Sequence, residues 1–202
     1  METIDKAAAR KALRKEKIAA RESLTPQERA EKSRAICGNI LGSPEYEKAK
    51  TVFIYKFVKG EVQLTALEEA NAALPEAERK TLLYPLCIED RQMLAIEPGS
   101  ADMGSDAWKK GAFGIPEPVL EKGRVVDPAE IDLVVSPCSS FDEGGMRLGM
   151  GGGYYDRYLP KCTKADVMLV AYECQGCEKV PAEPWDVPVP CIVTEDRVLR
   201  IE

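Results

Sequence analysis

The sequence predicts an α/β fold with a mostly parallel central sheet, and two observations support that prediction. Segments with strand character alternate along the chain with segments of helical character, a pattern typical of a sheet covered by helices. Residues 131–137 (IDLVVSP) and 167–173 (VMLVAYE) are apolar without alternation, as expected for central strands buried on both faces. The chain of 202 residues is interpreted as a single domain, residues 1–202, long enough to bury a substantial core.

Two helices are expected to precede the first strand. Residues 5–22 are rich in Ala, Lys, Arg and Leu, which are good helix formers. The segment Thr25-Pro26-Gln27-Glu28 has the pattern of a capping box with proline at the first helical position. The second helix should therefore start there, run to about Leu41 and end at Gly42.

The segments that follow predict strands and one further helix. β-branched and aromatic residues at 51–57 (TVFIYKF) indicate a strand, and a helical stretch follows over about residues 64–74. Two more strands are expected at residues 80–86 and 91–97. Residues 98–130 are rich in Gly, Pro and charge, and we expect them to form a long excursion over the functional site.

The composition excludes several classes of protein. A net charge of -6 gives no reason to expect nucleic acid as a partner, and no apolar run reaches the ~18 residues that a membrane span requires. Because a signal peptide is also not evident, we expect a cytoplasmic protein that acts as a monomer on small molecules, without membrane partners. The seven cysteines indicate reduced thiols; Cys174 and Cys177 have CxxC spacing, but a zinc site would need a second pair of ligands nearby.

The sequence contains no histidine. This absence excludes Ser-His-Asp and Cys-His nucleophilic catalysis, general acid–base chemistry by imidazole, and histidine-ligated metal sites. Catalysis must then depend on carboxylates, Lys, Arg, Tyr, backbone donors and a hard metal ion. Phosphoryl transfer is such a chemistry, because it depends on positioning and charge stabilisation more than on covalent work by the protein.

The most informative segment is RLGMGGGYYD, from Arg147 to Asp156. Glycines lack a Cβ, so successive backbone N–H groups of this loop can turn toward one anion and form a phosphate-binding nest. The glycines concerned are Gly149, Gly151, Gly152 and Gly153. The YYDRYL segment that follows is expected to begin a helix, whose positive end would favour the same anion. Because the loop follows the strand at 131–137, we expect it at the carboxyl end of that strand, where open α/β sheets bind ligands.

Charged residues at the two ends of this loop suit a polyphosphate and its metal ion. Arg147 offers phosphate a planar fork of donors. Asp156 offers the hard oxygen ligands that Mg²⁺ accepts when it bridges carboxylates to phosphates. The pattern is neither a P-loop nor the dinucleotide-binding fingerprint. The alternative interpretation is a surface loop whose glycines serve turns alone.

Two further features have both a functional and a structural interpretation. The first helix carries basic residues three or four apart on one face, where an anionic ligand or solvent would relieve their repulsion: Lys6, Arg10, Arg14, Lys17 and Arg21. Glu61 follows the strand at 51–57. Its carboxylate is either a partner for paired hydrogen bonds with an amino-pyrimidine ring or an ordinary surface acid.

Five segments, taken in this order, together resemble the 5-formyltetrahydrofolate cyclo-ligase family, also called 5,10-methenyltetrahydrofolate synthetases. They are Arg10-Lys-Ala-Leu-Arg14, Glu61 in KGEV, Phe113-Gly-Ile-Pro-Glu-Pro118, the stretch from Phe141 to Arg157 that contains the glycine loop, and the closing AYECQ…VPAEPWDVPVPCIVTED. The resemblance covers nearly the whole chain, and its glycine-tyrosine motif is highly specific.

The resemblance implies a three-layer α/β/α sandwich of the NagB/RpiA/CoA-transferase type and a ligase of folate one-carbon metabolism. Members of that family cyclise 5-formyltetrahydrofolate to 5,10-methenyltetrahydrofolate with ATP as co-substrate and Mg²⁺ as cofactor, and they release ADP and phosphate. In that family ATP phosphorylates the formyl oxygen, the neighbouring folate nitrogen attacks the activated carbon, and phosphate leaves as the ring closes.

The resemblance also implies a set of site residues. Asp156 and Asp186 would ligate Mg²⁺, and Arg147 and Tyr154 would act in catalysis. ATP would be bound by the first helix and the glycine loop: Arg10, Lys11, Arg14, Arg147, Leu148, Gly149, Met150, Gly151, Gly152, Gly153, Tyr154 and Tyr155. The folate would be bound by residues of one cleft: Tyr55, Lys56, Glu61, Phe113, Met150 and Tyr154.

Three positions depart from the usual pattern of that family. Arg10 stands where lysine is common, Trp185 stands before Asp186 where histidine is frequent, and Cys138-Ser139-Ser140 replaces small residues headed by glycine. A guanidinium in place of an ammonium changes the phosphate contact, and Trp185 changes the surroundings of the metal ligand. Two rival functions are a non-catalytic folate- or nucleotide-binding protein of the same fold and an ATP-dependent kinase of another small molecule.

Overall fold

The computed structural model describes residues 5–58, 60–111 and 114–201. The two predicted N-terminal helices are present as α1 (Lys6–Ser23) and α2 (Pro26–Leu41). The predicted capping box opens α2: the Thr25 hydroxyl accepts from the Glu28 N–H at 3.2 Å, and the Glu28 carboxylate accepts from the Thr25 N–H at 2.7 Å. Gly42 ends the helix, as expected.

Further elements follow in chain order. The helices are α3 (Pro44–Lys48), α4 (Thr65–Ala73) and α5 (Tyr154–Tyr158). The strands are β1 (Thr51–Phe53), β2 (Thr81–Ile88), β3 (Gln92–Pro98), β4 (Trp108–Lys110), β5 (Pro116–Pro118), β6 (Gly123–Val126), β7 (Leu133–Pro137), β8 (Ser140–Phe141), β9 (Arg147–Leu148), β10 (Asp166–Val170), β11 (Cys191–Val193) and β12 (Val198–Arg200).

The main sheet has eight strands in the order β12-β11-β10-β7-β1-β2-β3-β6. Its central strands, from β11 to β2, pair in parallel, whereas β12 at one edge and β3 and β6 at the other pair antiparallel. Two short antiparallel ribbons, β4-β5 and β8-β9, lie outside this sheet. The predicted α/β class with a mostly parallel central sheet is confirmed.

The core lies in two layers, one on each face of the sheet. Along β7, Leu133 and Val135 belong to the layer that also contains Ile36 and Ile40 of α2. Val134, between them, belongs to the other layer, with Tyr158 at the end of α5. Since both faces of the central strands are covered, their sequences are apolar throughout, which explains the missing alternation.

The structure differs from the predicted elements in two segments. The strand predicted at 51–57 ends at Phe53, and its continuation is apolar because Ile54 and Tyr55 are buried in the core as loop residues. The excursion predicted at 98–130 is interrupted by β6, which returns to the sheet as an edge strand beside β3. An edge strand is half-exposed, so the apolar run that marks a central strand is missing there.

Within the described ranges, none of the helices combines the length and the apolar character that a bilayer crossing requires.

Candidate active site

The site lies beyond the carboxyl ends of the parallel strands, where the β8-β9 hairpin connects β7 to the glycine loop. Asp142 organises this hairpin: its Oδ1 accepts from the N–H groups of Gly144 at 3.0 Å and Met146 at 3.1 Å, and its Oδ2 accepts from the Val180 N–H at 2.8 Å. Gly145 has a φ of +85°, and a Cβ there would lie 2.5 Å from the Val189 carbonyl oxygen. The hairpin therefore fixes the position of the glycine loop that follows it.

The glycine loop takes a backbone conformation that favours glycine at two places. Gly151 has a φ of +101° and Gly153 a φ of +66°, both in the left-handed region. Gly153 is the N-cap of α5, so the predicted helix begins where expected. With only 5 residues, α5 has a weaker dipole than a long helix, and anion binding must depend more on the arginines around the loop.

A cavity of about 370 Å³ opens beside the loop. Four arginines line it, namely Arg10, Arg14, Arg91 and Arg157, together with the carboxylates Asp156 and Asp186, the indole of Trp185, and Gly149, Gly151, Gly152 and Gly153. Guanidinium groups and glycine backbone around one cleft are chemically suited to a polyphosphate. The cavity thus brings together Arg10 and Arg14 of the predicted helix residues, the loop glycines and both predicted metal ligands.

Helix α1 contributes two of these arginines. The Arg14 Nε donates to the Gly149 carbonyl at 2.8 Å, which ties the helix to the glycine loop. Burial and the neighbouring charge of Arg10 lower the pKa of Arg14 from its ordinary value. A bound anion would offset both effects, because an opposite charge favours the protonated guanidinium.

Arg147 lies behind the cavity and does not line it. Its side chain is buried, with Nη2 3.1 Å from the Asp156 Oδ1 and the guanidinium 6.0 Å from the Tyr155 ring centroid. The Arg147 Nε and Nη2 and the Asp156 Oδ1 have no hydrogen-bond partner among the described residues. Nη2 and Oδ1 thus pair with each other as opposite charges, and the Nε is the atom left without a contact of this kind among the described residues.

Asp186 is held by α1. Arg10 donates to both of its carboxylate oxygens and, at 3.0 Å, to the Pro181 carbonyl, while the Glu183 N–H donates to the Asp186 Oδ2 at 2.9 Å. Burial alone would raise the pKa of Asp186, but these hydrogen bonds outweigh it and lower the pKa below its ordinary value. No group of three or more His, Cys, Asp or Glu side chains that could hold a metal ion occurs among the described residues, and the carboxylates that line the cavity are Asp156 and Asp186.

Glu61 is a buried carboxylate, only 8% exposed, and not a surface acid. Its Oε2 accepts from the Val58 N–H at 3.0 Å, and its Oε1 lies 3.9 Å from the Nη1 of Arg21. Burial raises the pKa of Glu61, and the Val58 hydrogen bond and Arg21 only partly oppose that shift. Arg21 is itself fully buried and donates to the Cys138 carbonyl at 3.2 Å, so it is held in place beside Glu61.

Two of the other predicted folate residues, Tyr55 and Lys56, already have protein partners. The Tyr55 hydroxyl is buried and donates to the Val62 carbonyl at 2.9 Å. Lys56 pairs with Glu68, and its ammonium lies 4.7 Å from the Tyr84 ring centroid and 5.5 Å from that of Trp108. These contacts fix the positions of the Tyr55 and Lys56 side chains.

The remaining predicted residues are distributed around the loop. Leu148 is buried behind it, Tyr155 is half-buried, and Met150 and Lys11 are exposed. Tyr154 lines a second cavity of about 270 Å³ that shares Arg157 with the first. Phe113 lies outside the described residues.

Sequence reasoning missed Arg91, Arg157 and Asp142 as site residues, and it placed Arg21 only in the basic stripe of α1. Arg21 is the last residue of that stripe, and its side chain is buried in the structure. Arg91 gave no signal, because it lies at the β2-β3 turn and reaches the cavity only through the sheet topology. Asp90 and Arg91 both have a φ of +55°, a conformation that residues other than glycine seldom adopt.

The fold and the site define an α/β protein with a cationic ligand-binding cleft at the carboxyl edge of a parallel sheet. The sequence profile of the 5-formyltetrahydrofolate cyclo-ligase family matches residues 6–195. The chain belongs to this family, and the resemblance found in its motifs is confirmed.

Relatives and solved structures agree with this assignment. The 5-formyltetrahydrofolate cyclo-ligase of Escherichia coli K12 is 31% identical over 180 residues, which cover 88% of this chain and 96% of the relative. The enzyme of the same name from Haemophilus influenzae is 32% identical over 177 residues, 84% of this chain and 88% of the relative. The NMR structure of Aquifex aeolicus 5,10-methenyltetrahydrofolate synthetase has a TM-score of 0.81 and 36% identity, and the match covers 96% of this chain and 93% of that one.

Proposed function

We propose that the protein catalyses the ATP- and Mg²⁺-dependent cyclisation of 5-formyltetrahydrofolate to 5,10-methenyltetrahydrofolate, with release of ADP and phosphate. The observation that carries the proposal is the convergence of Arg10, Arg14, the glycine loop and Asp156 on one cavity. The names of the relatives from Escherichia coli and Aquifex aeolicus supply the substrate and the product.

The ATP phosphates would lie in this cavity. Arg14 is fixed to the Gly149 carbonyl through its Nε, so the rest of its guanidinium is available to an anion. Arg10 is oriented by Asp186 and by the Pro181 carbonyl. Backbone N–H groups around Gly151 and Gly153 would add donors, because their left-handed conformations alternate with ordinary ones as in an anion-binding nest.

The carboxylates Asp156 and Asp186 fit Mg²⁺, which is usually bound through one or two carboxylates together with substrate phosphates. Asp156 supports this fit, because its carboxylate lines the cavity and its Oδ1 makes no hydrogen bond, only the ion pair with Arg147 at 3.1 Å. When bound, the ion would neutralise charge on the phosphates during transfer. Arg10 would hold Asp186 in place, and Arg147 would do the same for Asp156.

Glu61 would recognise the amino-pyrimidine part of the folate. Its ionised carboxylate can accept two parallel hydrogen bonds from such a ring, as it does from the fork of a guanidinium. Arg21, at 3.9 Å, favours that ionised form, and the buried position excludes competing water. Tyr154 and Met150 would face the remainder of the folate. The folate contact of Phe113, which lies outside the described residues, stays a prediction.

The proposed chemistry needs positioning more than covalent help. The formyl oxygen takes the terminal phosphoryl group as the bond to ADP breaks, which turns that oxygen into a good leaving group. The neighbouring folate nitrogen then attacks the formyl carbon and loses its proton, and the carbon–oxygen bond breaks to release phosphate. Arg147, behind the cavity, would position Asp156, and Tyr154 would help to orient the folate, since positioning accounts for most catalysis of phosphoryl transfer.

Product stoichiometry tests this proposal. With excess ATP and Mg²⁺, each mole of 5-formyltetrahydrofolate consumed should give one mole each of methenyl-folate, ADP and phosphate. A stable phosphorylated product without free phosphate would instead indicate a kinase. Binding of both ligands without any product would indicate the non-catalytic protein of the same fold.

A further inference from the structure

Trp185 is an aromatic side chain that the fold leaves uncovered. It is 69% exposed, the highest value for a large hydrophobic residue in the described part of the chain. The second tryptophan differs in every respect: Trp108 is 8% exposed, its ring packs against Tyr84 at 5.0 Å, and its Nε1 donates to the Ser100 carbonyl at 2.8 Å. Trp185 is therefore the tryptophan whose ring is open to a ligand.

The backbone that carries Trp185 is held firmly. Residues 183–186 form a turn in which the Asp186 N–H donates to the Glu183 carbonyl at 3.0 Å. The ring of Pro184 fixes its own φ and restricts the backbone of Glu183 before it. Arg10 and Lys6 of α1 donate to the carbonyls of the two residues that precede this turn, at 3.0 Å and 3.2 Å. The indole is thus exposed on an anchored turn, an arrangement that reduces the entropy lost when a ligand stacks on it.

Trp185 also lines the same cavity as Arg10, Arg14 and Asp186. A ligand that fits this combination carries several negative charges and a flat aromatic group at one end, because the guanidinium groups need an anion and the indole needs a planar partner. A nucleoside triphosphate meets both requirements, whereas an inorganic polyphosphate meets only the first.

We propose that Trp185 is the platform on which the base of the nucleotide stacks. This inference rests on the proposed use of ATP. Stacking on an aromatic side chain adds affinity for any base, because every base has a flat π face. Trp185 would therefore supply affinity for the nucleotide, while the arginines and the glycine loop supply affinity for its phosphates.

Tryptophan fluorescence distinguishes the two kinds of contact. Emission from the exposed Trp185 should be quenched when ATP and Mg²⁺ are added, and inorganic tripolyphosphate with Mg²⁺ should leave it nearly unchanged. Trp108→Phe should keep the ATP response, and Trp185→Phe should remove it. Equal quenching by ATP and tripolyphosphate, or an ATP response that survives in Trp185→Phe, would overturn the inference.

Calorimetric titration supplies the second readout. Trp185→Leu should raise the Kd for ATP about tenfold, which corresponds to ~1.4 kcal/mol, with the Kd for tripolyphosphate unchanged. Trp185→Phe should retain most of the ATP affinity, because its ring can still stack. Wild-type ATP affinity in Trp185→Leu would refute the stacking role while ATP-dependent cyclisation by the wild type still stood. If the wild type does not bind ATP, both this inference and the proposed function fail.

Discussion

Asp156 lines the proposed phosphate site, and Arg147 lies behind it with its Nη2 3.1 Å from the Asp156 Oδ1. Sequence spacing predicted that both would belong to the site. It did not predict that Arg147 would be buried behind Asp156, because the β8-β9 hairpin that determines this depth has strands of only 2 residues each. Strands this short leave no periodic signal.

Asp156→Asn should reduce turnover at least ~100-fold, because a neutral amide is a poor Mg²⁺ ligand. The change is isosteric, so the circular dichroism spectrum and the melting temperature should stay close to those of the wild type. Asp106→Asn, at an exposed ion pair with Lys122, is the matched control and should keep full activity. Wild-type turnover of Asp156→Asn at limiting Mg²⁺ would contradict the metal role.

Arg147→Ala should raise the KM for ATP about tenfold and change the KM for the folate much less. A charged hydrogen bond or ion pair contributes ~1.5–3 kcal/mol, and the lost contact is to Asp156, the proposed ligand of the Mg²⁺ that accompanies ATP. Steady-state kinetics with each substrate varied in turn measures both constants. Arg124→Ala, at an exposed pair with Glu97, controls for loss of a cation. The reverse pattern of KM changes would mean that the ATP and folate sites have been exchanged.

Folate affinity should decrease as the pH falls through the raised pKa of Glu61, because only the carboxylate accepts both hydrogen bonds from the ring. The folded protein holds this proton more tightly than the unfolded chain does. The contribution of Glu61 to the free energy of unfolding is therefore present at low pH and is lost as the pH rises through the pKa of Glu61 in the folded protein. Equilibrium binding across neutral and mildly acidic pH tests the prediction, with Glu61→Gln as the control that should bind weakly at every pH. The same pH profile in both proteins would refute it.

At the scale of elements, local signals predicted what local interactions determine. The capping box at Thr25 and the glycine at 42 correctly marked α2, and the unbroken apolar runs marked β7 and β10. The edge strands β6 and β12 were not predicted, because they are short and half-exposed and so give no apolar run; β6 also pairs with β3, from which the β4-β5 ribbon separates it in the chain. The sequence also gave no sign that the turn between β2 and β3 brings Arg91 to the cavity.

Two glycine substitutions should have opposite effects on stability. Gly145→Ala places a Cβ 2.5 Å from a backbone carbonyl oxygen at a φ of +85°, so it should lower the free energy of unfolding by ~2 kcal/mol or more. Gly38→Ala, inside α2 with no atom near the new Cβ, should raise that free energy by ~0.5–1 kcal/mol. Urea denaturation measures both. Equal stability of the two variants would contradict the fixed hairpin.

At the scale of the whole molecule, the cleft exists only because distant segments converge. The contact between Arg14 and Gly149 joins positions 135 residues apart, and the contact between Arg10 and Asp186 joins positions 176 residues apart. The sheet order makes both contacts possible, because β7 and β10 are adjacent strands and the connections that follow them carry the glycine loop and Asp186. Motif resemblance predicted that these residues act together, but the hydrogen bonds that join them follow from the fold alone.

The most direct test of the account is the near-ultraviolet absorbance of the purified protein with 5-formyltetrahydrofolate, Mg²⁺ and ATP, compared with the same mixture without ATP. The account predicts that methenyl-folate absorbance rises only when ATP is present. The absence of a rise in folded protein, or a rise of equal rate without ATP, would contradict it.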